Sequence, residues 1–337
     1  MKPTLPTLPR LTQSFFQQYL QQTRGASPHT IRAYRDALRL FFEFLARQAH
    51  RGVDRLQLTD VTVQRILDFL VHLENQRGNR PVTRNCRLAA LRSWAKHLLR
   101  HDPGAAEQYM RILALPAKRY TQAPPSYLEP EQFRWVLDTV SPRTPGGLRA
   151  ATLLLFLYNT GARVNEALQL QWRDLSTDGP RQVRLHGKGN RDRICPLWKQ
   201  TTALLRQLQQ QKGGGPEGFV FLNARGQPLT RDGVAYLLRR CYRLAQQQHP
   251  SLPRSPIHPH TLRHSCAVAL LQAGIELTAI RDYLGHASIA TTSRYLQINL
   301  AAKRQVLQRF WKQAHLDPKQ PGRWRPAASL LRFLQSL

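Results

Sequence analysis

Apolar residues recur at three- and four-residue intervals along most of this chain and alternate in only one short stretch. In residues 11–22 (LTQSFFQQYLQQ), Phe16 and Tyr19/Leu20 share one face of an amphipathic helix. Ser27-Pro28 reads as the N-cap and first residue of a second helix, in which Ile31, Tyr34, Leu38, Phe41/Phe42 and Leu45 keep the helical period. Thr59 or Asp60 can cap a third helix that runs through Leu73. Residues 82–99 (VTRNCRLAALRSWAKHLL) make a fourth, with Leu88, Leu91, Trp94 and Leu98 inward and Arg84, Arg87 and Arg92 along much of the remainder. The first third of the chain is therefore expected to be a small all-helical domain with basic outer faces.

The period then fails. Leu115–Pro130 (LPAKRYTQAPPSYLEP) carries four prolines and reads as a linker. Beyond it Glu131–Val140 and Gly147–Tyr158 look helical, and residues 182–197 (QVRLHGKGNRDRICPL) look like two short strands around a glycine-rich turn. Helices resume at about 201–211, 231–248, 261–273 and 276–284. A second punctuated stretch, Asp317–Pro326, precedes a short amphipathic tail, AASLLRFLQSL. The expected organisation is a helical domain over 12–105, a linker over 106–127, a second domain over 128–316 and a tail over 317–337. The fold class is mainly α with a small β-hairpin.

Composition narrows the classes of function. Fifty Lys and Arg against twenty Asp and Glu leave a net charge of +30. Twenty basic residues face eight acidic ones before residue 121, and thirty face twelve after it, so both halves are basic. A polyanion touched by both halves explains this most simply, and duplex nucleic acid is the expected partner. Arg-biased codon usage is the bland alternative, since only nine of the fifty are Lys. No run reaches the ~18 apolar residues of a membrane span, and the start, MKPTLPTLPRLTQ, lacks the apolar core of a signal peptide. Cys86, Cys195, Cys241 and Cys266 lie far apart without a C-x-x-C pair, which argues against a disulfide framework or a zinc site and fits a reducing cytoplasm.

Breaking a DNA strand without a metal needs fixed cations facing the charged equatorial oxygens, a nucleophile held in line and an acid for the leaving oxygen. Arginine suits the first role because its planar fork donates two parallel hydrogen bonds and stays charged. The second half of the chain holds candidates for every part. In Thr160-Gly161-Ala162-Arg163-Val164-Asn165-Glu166, Gly161 permits a reversal that presents Arg163 at the start of a helix. In Pro259-His260-Thr261-Leu262-Arg263-His264, His260 and Arg263 share a helical face. Cations at a helix N-terminus oppose the helix dipole, which suggests a nearby anion. Leu284-Gly285-His286 is followed nine residues after the histidine by Tyr295, and Lys188 sits between two glycines at the hairpin tip. Taken singly each is ordinary: a surface Arg, a basic helix start, a packed Tyr, a solvated Lys.

Their order and spacing are not ordinary. Arg163, Lys188, His260-x-x-Arg263, Leu-Gly-His286 and Tyr295 resemble the signature of the tyrosine recombinases, the phage-integrase family. The flanking words match too: Thr-Gly-x-Arg-x-x-Glu, Gly-Lys-Gly, Pro-His-x-Leu-Arg-His and Thr-Thr before the tyrosine. The first domain resembles the family's SAM-like core-binding domain through Ser-Pro-x-Thr-x-x-x-Tyr (Ser27 to Tyr34) and Val-Thr-x-Asn-x-x-Leu-x-Ala-Leu-Arg (Val82 to Arg92). Two positions depart from the pattern, Asn165 where Ser is common and Leu-Gln after Tyr295 where Thr-His is frequent. Neither is catalytic.

The resemblance implies a two-domain clamp on duplex DNA and a metal- and ATP-independent enzyme with no cofactor. Tyr295 would form a 3′-phosphotyrosine, Arg163 and Arg263 would bind the non-bridging oxygens, and His260 and His286 would assist. Lys188 would act as general acid, and Glu166 would orient the site rather than catalyse. Four protomers on two duplexes, alone or with a related recombinase, would exchange strands through a Holliday junction, and the tail would dock on its own domain or on a neighbour. The chain begins almost at the core-binding domain, which points to the Xer-like, integron-like or transposon type rather than the larger phage integrases. Arg84, Arg87, Arg92, Arg191 and Arg239 are candidate DNA contacts. A type IB topoisomerase-like enzyme and a catalytically silent DNA-binding relative are the rival readings.

Overall fold

The computed structural model describes residues 7–121, 125–187, 191–255, 257–286, 292, 293 and 295, apart from the side chains of Arg191 and Lys212. Lys188 and the tail therefore lie outside the described residues. The chain divides into two compact units, Met1–Gln122 and Ala123–Leu337.

The first unit is helical throughout. Helix α1 (Leu8–Ser14) continues as a π-helical stretch over Phe15–Thr23, then come α2 (Pro28–Gln48), α3 (Val63–Asn75), α4 (Pro81–His101) and α5 (Ala106–Ala114). The wide π turn was not anticipated, and its reason is packing. It brings Phe15 and Leu20, five residues apart, inward together at 0% exposure, while Phe16 and Tyr19 are only partly buried. Helix α2 starts as expected, with Ser27 accepting from the Thr30 amide and Pro28 in the first turn. Thr62, not Thr59 or Asp60, caps α3; the buried Asp60 carboxylate instead accepts from the Gln57 amide and pairs with Arg51 and Arg65. Phe41, Phe69 and Trp94 meet edge-to-face at the centre.

Residues 106–114, read from the sequence as the start of the linker, are helix α5. Tyr109 and Ile112 are fully buried in this core, and the Tyr109 hydroxyl donates to Asp102. Arg84, Arg87 and Arg92 are half-buried rather than outermost. Among the described residues, Arg84 Nε, Arg87 Nη1 and Arg92 Nε are buried without a hydrogen-bond partner, although Arg84 Nε lies 3.7 Å from Glu74 Oε2.

His97 on α4 is buried, its Nε2 lies 2.7 Å from Ser14 Oγ, and its ring is 4.4 Å from that of His101. Burial, with His101 and Arg100 nearby, pulls its pKa from 6.5 down to about 4. The unfolded chain therefore takes up this proton first as pH falls, so the stability is whole above pH 6.5 and declines towards pH 4. The decline amounts to about 3 kcal/mol. Thermal melts of the full chain across that window should show it, and His97→Gln, which keeps a donor for Ser14 but does not titrate, should flatten it.

The second unit is built around α7 (Pro145–Thr160), in which every residue from Ala150 to Thr160 is buried. A helix apolar on all sides belongs in a core, and α7 packs against α9 (Lys199–Lys212) and α11 (Pro259–Gln272). Around them stand α6 (Pro130–Asp138), α8 (Val164–Leu168), α10 (Arg231–Gln248) and α12 (Leu277–Leu284). An antiparallel sheet of β1 (Leu175–Ser176), β2 (Gln182–Gly187) and β3 (Arg191–Pro196) has the order β1-β2-β3. Val183 pairs with Cys195 and Leu185 with Arg193; these face inward, while Ile194 is 58% exposed. Among the described residues no helix is long and apolar enough to cross a membrane.

Candidate active site

The site begins where α7 ends. Gly161 takes the left-handed conformation (φ 57°, ψ 24°), and a Cβ there would lie 2.4 Å from Leu284 Cδ2. Both the turn and the close approach therefore demand glycine. The reversal places Arg163 at the N-cap of α8, where its amide donates to Glu166 Oε2 at 2.8 Å. The Arg163 side chain, one-third exposed, donates to Glu166 Oε1 at 2.8 Å and to the Gly285 carbonyl at 3.2 Å.

Glu166 is buried between two arginines, because Arg193 of β3 also donates to its Oε2 at 2.8 Å. Burial alone would raise the Glu166 carboxyl. The Arg193 hydrogen bond and charge, with the Arg163 bonds, outweigh it and hold the group below the ordinary carboxylate range. Glu166→Ala would leave the Arg193 guanidinium, 9% exposed, without its counter-charge. We expect a loss of about 3–5 kcal/mol in urea denaturation, with Glu166→Gln intermediate.

Helix α11 supplies the second arginine. Pro259 occupies its first turn and His260 and Arg263 follow one turn apart. Arg263 is only 3% exposed, and its two Nη atoms donate at 2.6 Å each to the carbonyls of Gly161 and Leu284. Both carbonyls sit at helix C-terminal ends, so the cation that opposes its own helix dipole is matched by the negative ends of two others. Burial and then the charges of Arg163 and Arg193 lower its pKa to about 10, which leaves it protonated at neutral pH. His260 is exposed at the start of α11. Lost hydration on its packed side, then the charges of Arg263, Arg163 and Arg231, hold it below the usual imidazole value.

His286 follows Gly285, whose left-handed φ of 63° ends α12. Its Nδ1 lies 2.9 Å from Thr292 Oγ1. Burial, reinforced by Arg263 and Arg163, lowers its pKa to about 3, so the ring is neutral in the cell's pH range. Tyr295 is 2% exposed in a small cluster with Cys266, Val268, Leu271, Ile280 and Leu284. Its ring lies nearly parallel to that of His286, centroids 6.4 Å apart, and its hydroxyl is 2.8 Å from His264 Nδ1.

Arg163, Arg263, His260, His286 and Tyr295, drawn from 133 positions of chain, thus come together around the ends of α7 and α12 and the start of α11. Lys188, at the hairpin tip, lies outside the described residues, as does the side chain of Arg191. Arg239 is exposed on α10, its Nε donating to the Ala235 carbonyl. Two site residues went unread in the sequence. Arg193 was legible in principle, because the strand period puts it on the inward face with Cys195 and a buried cation needs a partner. His264 had no signal beyond its place after Arg263.

Comparison with known proteins gives one consistent result. The profile described as "Phage integrase family" matches residues 126–301, and "Phage integrase, N-terminal SAM-like domain" matches residues 14–102. The putative integrase/recombinase y4rC of Sinorhizobium fredii is 36% identical over 333 residues, covering 98% of both chains. The tyrosine recombinase XerC of Pelobacter propionicus is 32% identical over 308 residues, covering 91% of this chain and 95% of the relative. A crystal structure of the site-specific recombinase XerH bound to palindromic difH substrate in a post-cleavage complex is similar with a TM-score of 0.65. It is 22% identical and covers 89% of this chain and 83% of that one, a likeness of fold.

Proposed function

This chain belongs to the phage integrase family of tyrosine recombinases and is a site-specific DNA recombinase; from that premise we propose that Tyr295 is the nucleophile, attacking a scissile phosphate held by Arg163 and Arg263. The Tyr295 oxygen bonds to phosphorus, the 5′ oxygen departs, and the strand's 3′ end remains on the enzyme as a phosphotyrosine. The two guanidinium groups face the non-bridging oxygens, where charge grows in the transition state. A neutral His286 and His260 donate hydrogen bonds, and Lys188 protonates the leaving 5′ oxygen. The phosphodiester's energy is kept in the covalent link, so rejoining needs no ATP. The freed 5′ hydroxyl of one duplex then attacks the phosphotyrosine of another.

One observation carries the reading. Arg163 and Arg263, a hundred residues apart, are hydrogen-bonded to the successive carbonyls of Gly285 and Leu284, immediately before His286, whose ring lies alongside that of Tyr295. Two fixed guanidinium groups converging beside a phenol form a site for a tetrahedral oxyanion next to a nucleophile.

By the same reading the partner is duplex DNA, met in the bacterial cytoplasm. Four protomers, of this chain alone or with a related recombinase, act on two duplexes through a Holliday junction. Arg84, Arg87, Arg92, Arg191 and Arg239 are its contacts with the duplex. The test uses a duplex selected by binding from a random library and nicked so that the fragment released on cleavage diffuses away. A protein–DNA adduct that survives SDS is expected. Binding with no adduct would favour a silent DNA-binding protein, and plasmid relaxation without any recombinant would favour a topoisomerase.

A further inference from the structure

Tyr295 needs somewhere to leave its proton. A phenol with pKa near 10 supplies only about one phenolate in a thousand at pH 7, so an adjacent acceptor matters. Among the described residues, the titratable groups around it include His264, His286, Arg263, Cys266, whose thiol is turned to the Asn159 carbonyl, and, beyond His264, His260. Arg263 has no acceptor, and both its Nη atoms are engaged with carbonyls. His286 lies alongside the ring with its Nδ1 turned to Thr292, and two nearby arginines oppose a further proton on it. The His260 ring centroid is 6.4 Å from that of His264. The His264 Nδ1 lies at hydrogen-bond distance from the hydroxyl, at 2.8 Å.

From that contact we infer that His264 is a catalytic residue, the base that accepts the Tyr295 proton as the phenol attacks phosphorus. The inference rests on the reading of Tyr295 as nucleophile. The position of His264 is fixed by its neighbours: Arg263 is anchored to two helix ends, and Ser265 Oγ donates to the Thr261 carbonyl while accepting from the Leu128 amide. One turn of α11 thus presents a guanidinium for the phosphate and an imidazole for the nucleophile.

The step balances. The Tyr295 Oη–H proton passes to His264 Nδ1 as the Oη–P bond forms, the P–O5′ bond breaks, and the 5′ oxygen takes a proton from the acid assigned to Lys188. In the return step the 5′ hydroxyl gives its proton back to that acid and attacks phosphorus, and the departing phenolate recovers the proton from His264. The site holds the same net charge in the free and covalent states.

The experiment measures single-turnover adduct formation on the selected, nicked duplex between pH 5 and 9 with the full chain. His264→Asn keeps a polar group near the Nδ1 position but cannot take the proton. It should bind the duplex as the wild type does and form adduct about 10²–10⁴-fold more slowly. Its rate should rise tenfold per pH unit where the wild type reaches a plateau. His264→Gly should be slow in buffer and recover on addition of imidazole. Adduct formation by His264→Asn at the wild-type rate would overturn the inference. So would a uniform slowing with a wild-type pH profile together with no imidazole rescue of His264→Gly. Tyr295→Phe is run in parallel: adduct from that variant would sink the nucleophile assignment, whereas its absence beside a wild-type-like His264→Asn would sink only the role of His264.

Discussion

Tyr295→Phe should bind its duplex with wild-type affinity and yield no SDS-resistant adduct at all. The substitution keeps the ring that fills the cluster of Cys266, Val268, Leu271, Ile280 and Leu284, where Tyr295 is 2% exposed. It removes only the hydroxyl, whose bond to the partly exposed His264 water can replace on the imidazole side. The stability change should therefore stay within about 1.5 kcal/mol, and a lost adduct cannot be ascribed to misfolding. Mobility shift, thermal melt and denaturing gel on one preparation separate the three quantities. An adduct from the variant would mean that another residue is the nucleophile.

Lys188→Ala should slow cleavage by about 10²–10⁴-fold, the usual worth of a positioned acid. A 5′-phosphorothiolate at the scissile bond should restore it. Sulfur leaves as a thiolate, the conjugate base of a group with pKa about 8.5, and needs no proton in the transition state. The stem below the tip has bonds of its own. His186 pairs with Asp192 across the strands and bonds to it at 2.9 Å, and Arg193 ties β3 to Glu166 and to the Tyr283 carbonyl. A slow variant that the sulfur substrate does not rescue would remove Lys188 from the acid's role and leave it a phosphate contact.

Much of the scaffold was legible in the sequence because it obeys the simplest periods. The faces of α2 and α4, the Ser27 cap and the glycine reversal at Gly161 follow from residue type and spacing alone. The π turn over Phe15–Thr23 was not, because its wider pitch is set by which side chains the α4 face will accept. Helix α5 was hidden for a different reason. It is one short helix before a run of prolines, and only Tyr109 and Ile112 mark its inward face.

The site divides in the same way. The reversal before Arg163 and the shared face of His260 and Arg263 are local, and spacing reveals them. The dipole argument for an anion near Arg263 was incomplete, since the carbonyls of Gly161 and Leu284, distant in sequence, already answer part of that charge. Tyr295 carried little local signal beyond the Thr-Thr that precedes it. Its assignment came from the order of the other motifs, and its contacts with His264 and His286 are a product of tertiary packing. Arg193 needed both the strand period and the knowledge that Glu166 lay opposite.

The most direct measurement is the chemistry of the trapped link itself. The adduct from the nicked duplex, digested with protease and nuclease, is sequenced by tandem mass spectrometry while the other strand fragment is end-labelled. The account predicts a nucleotide joined through its 3′ phosphate to Tyr295, with a free 5′ hydroxyl on the released fragment. A link to any other residue, a 5′-phosphate attachment, or strand cleavage with no protein bound would contradict it.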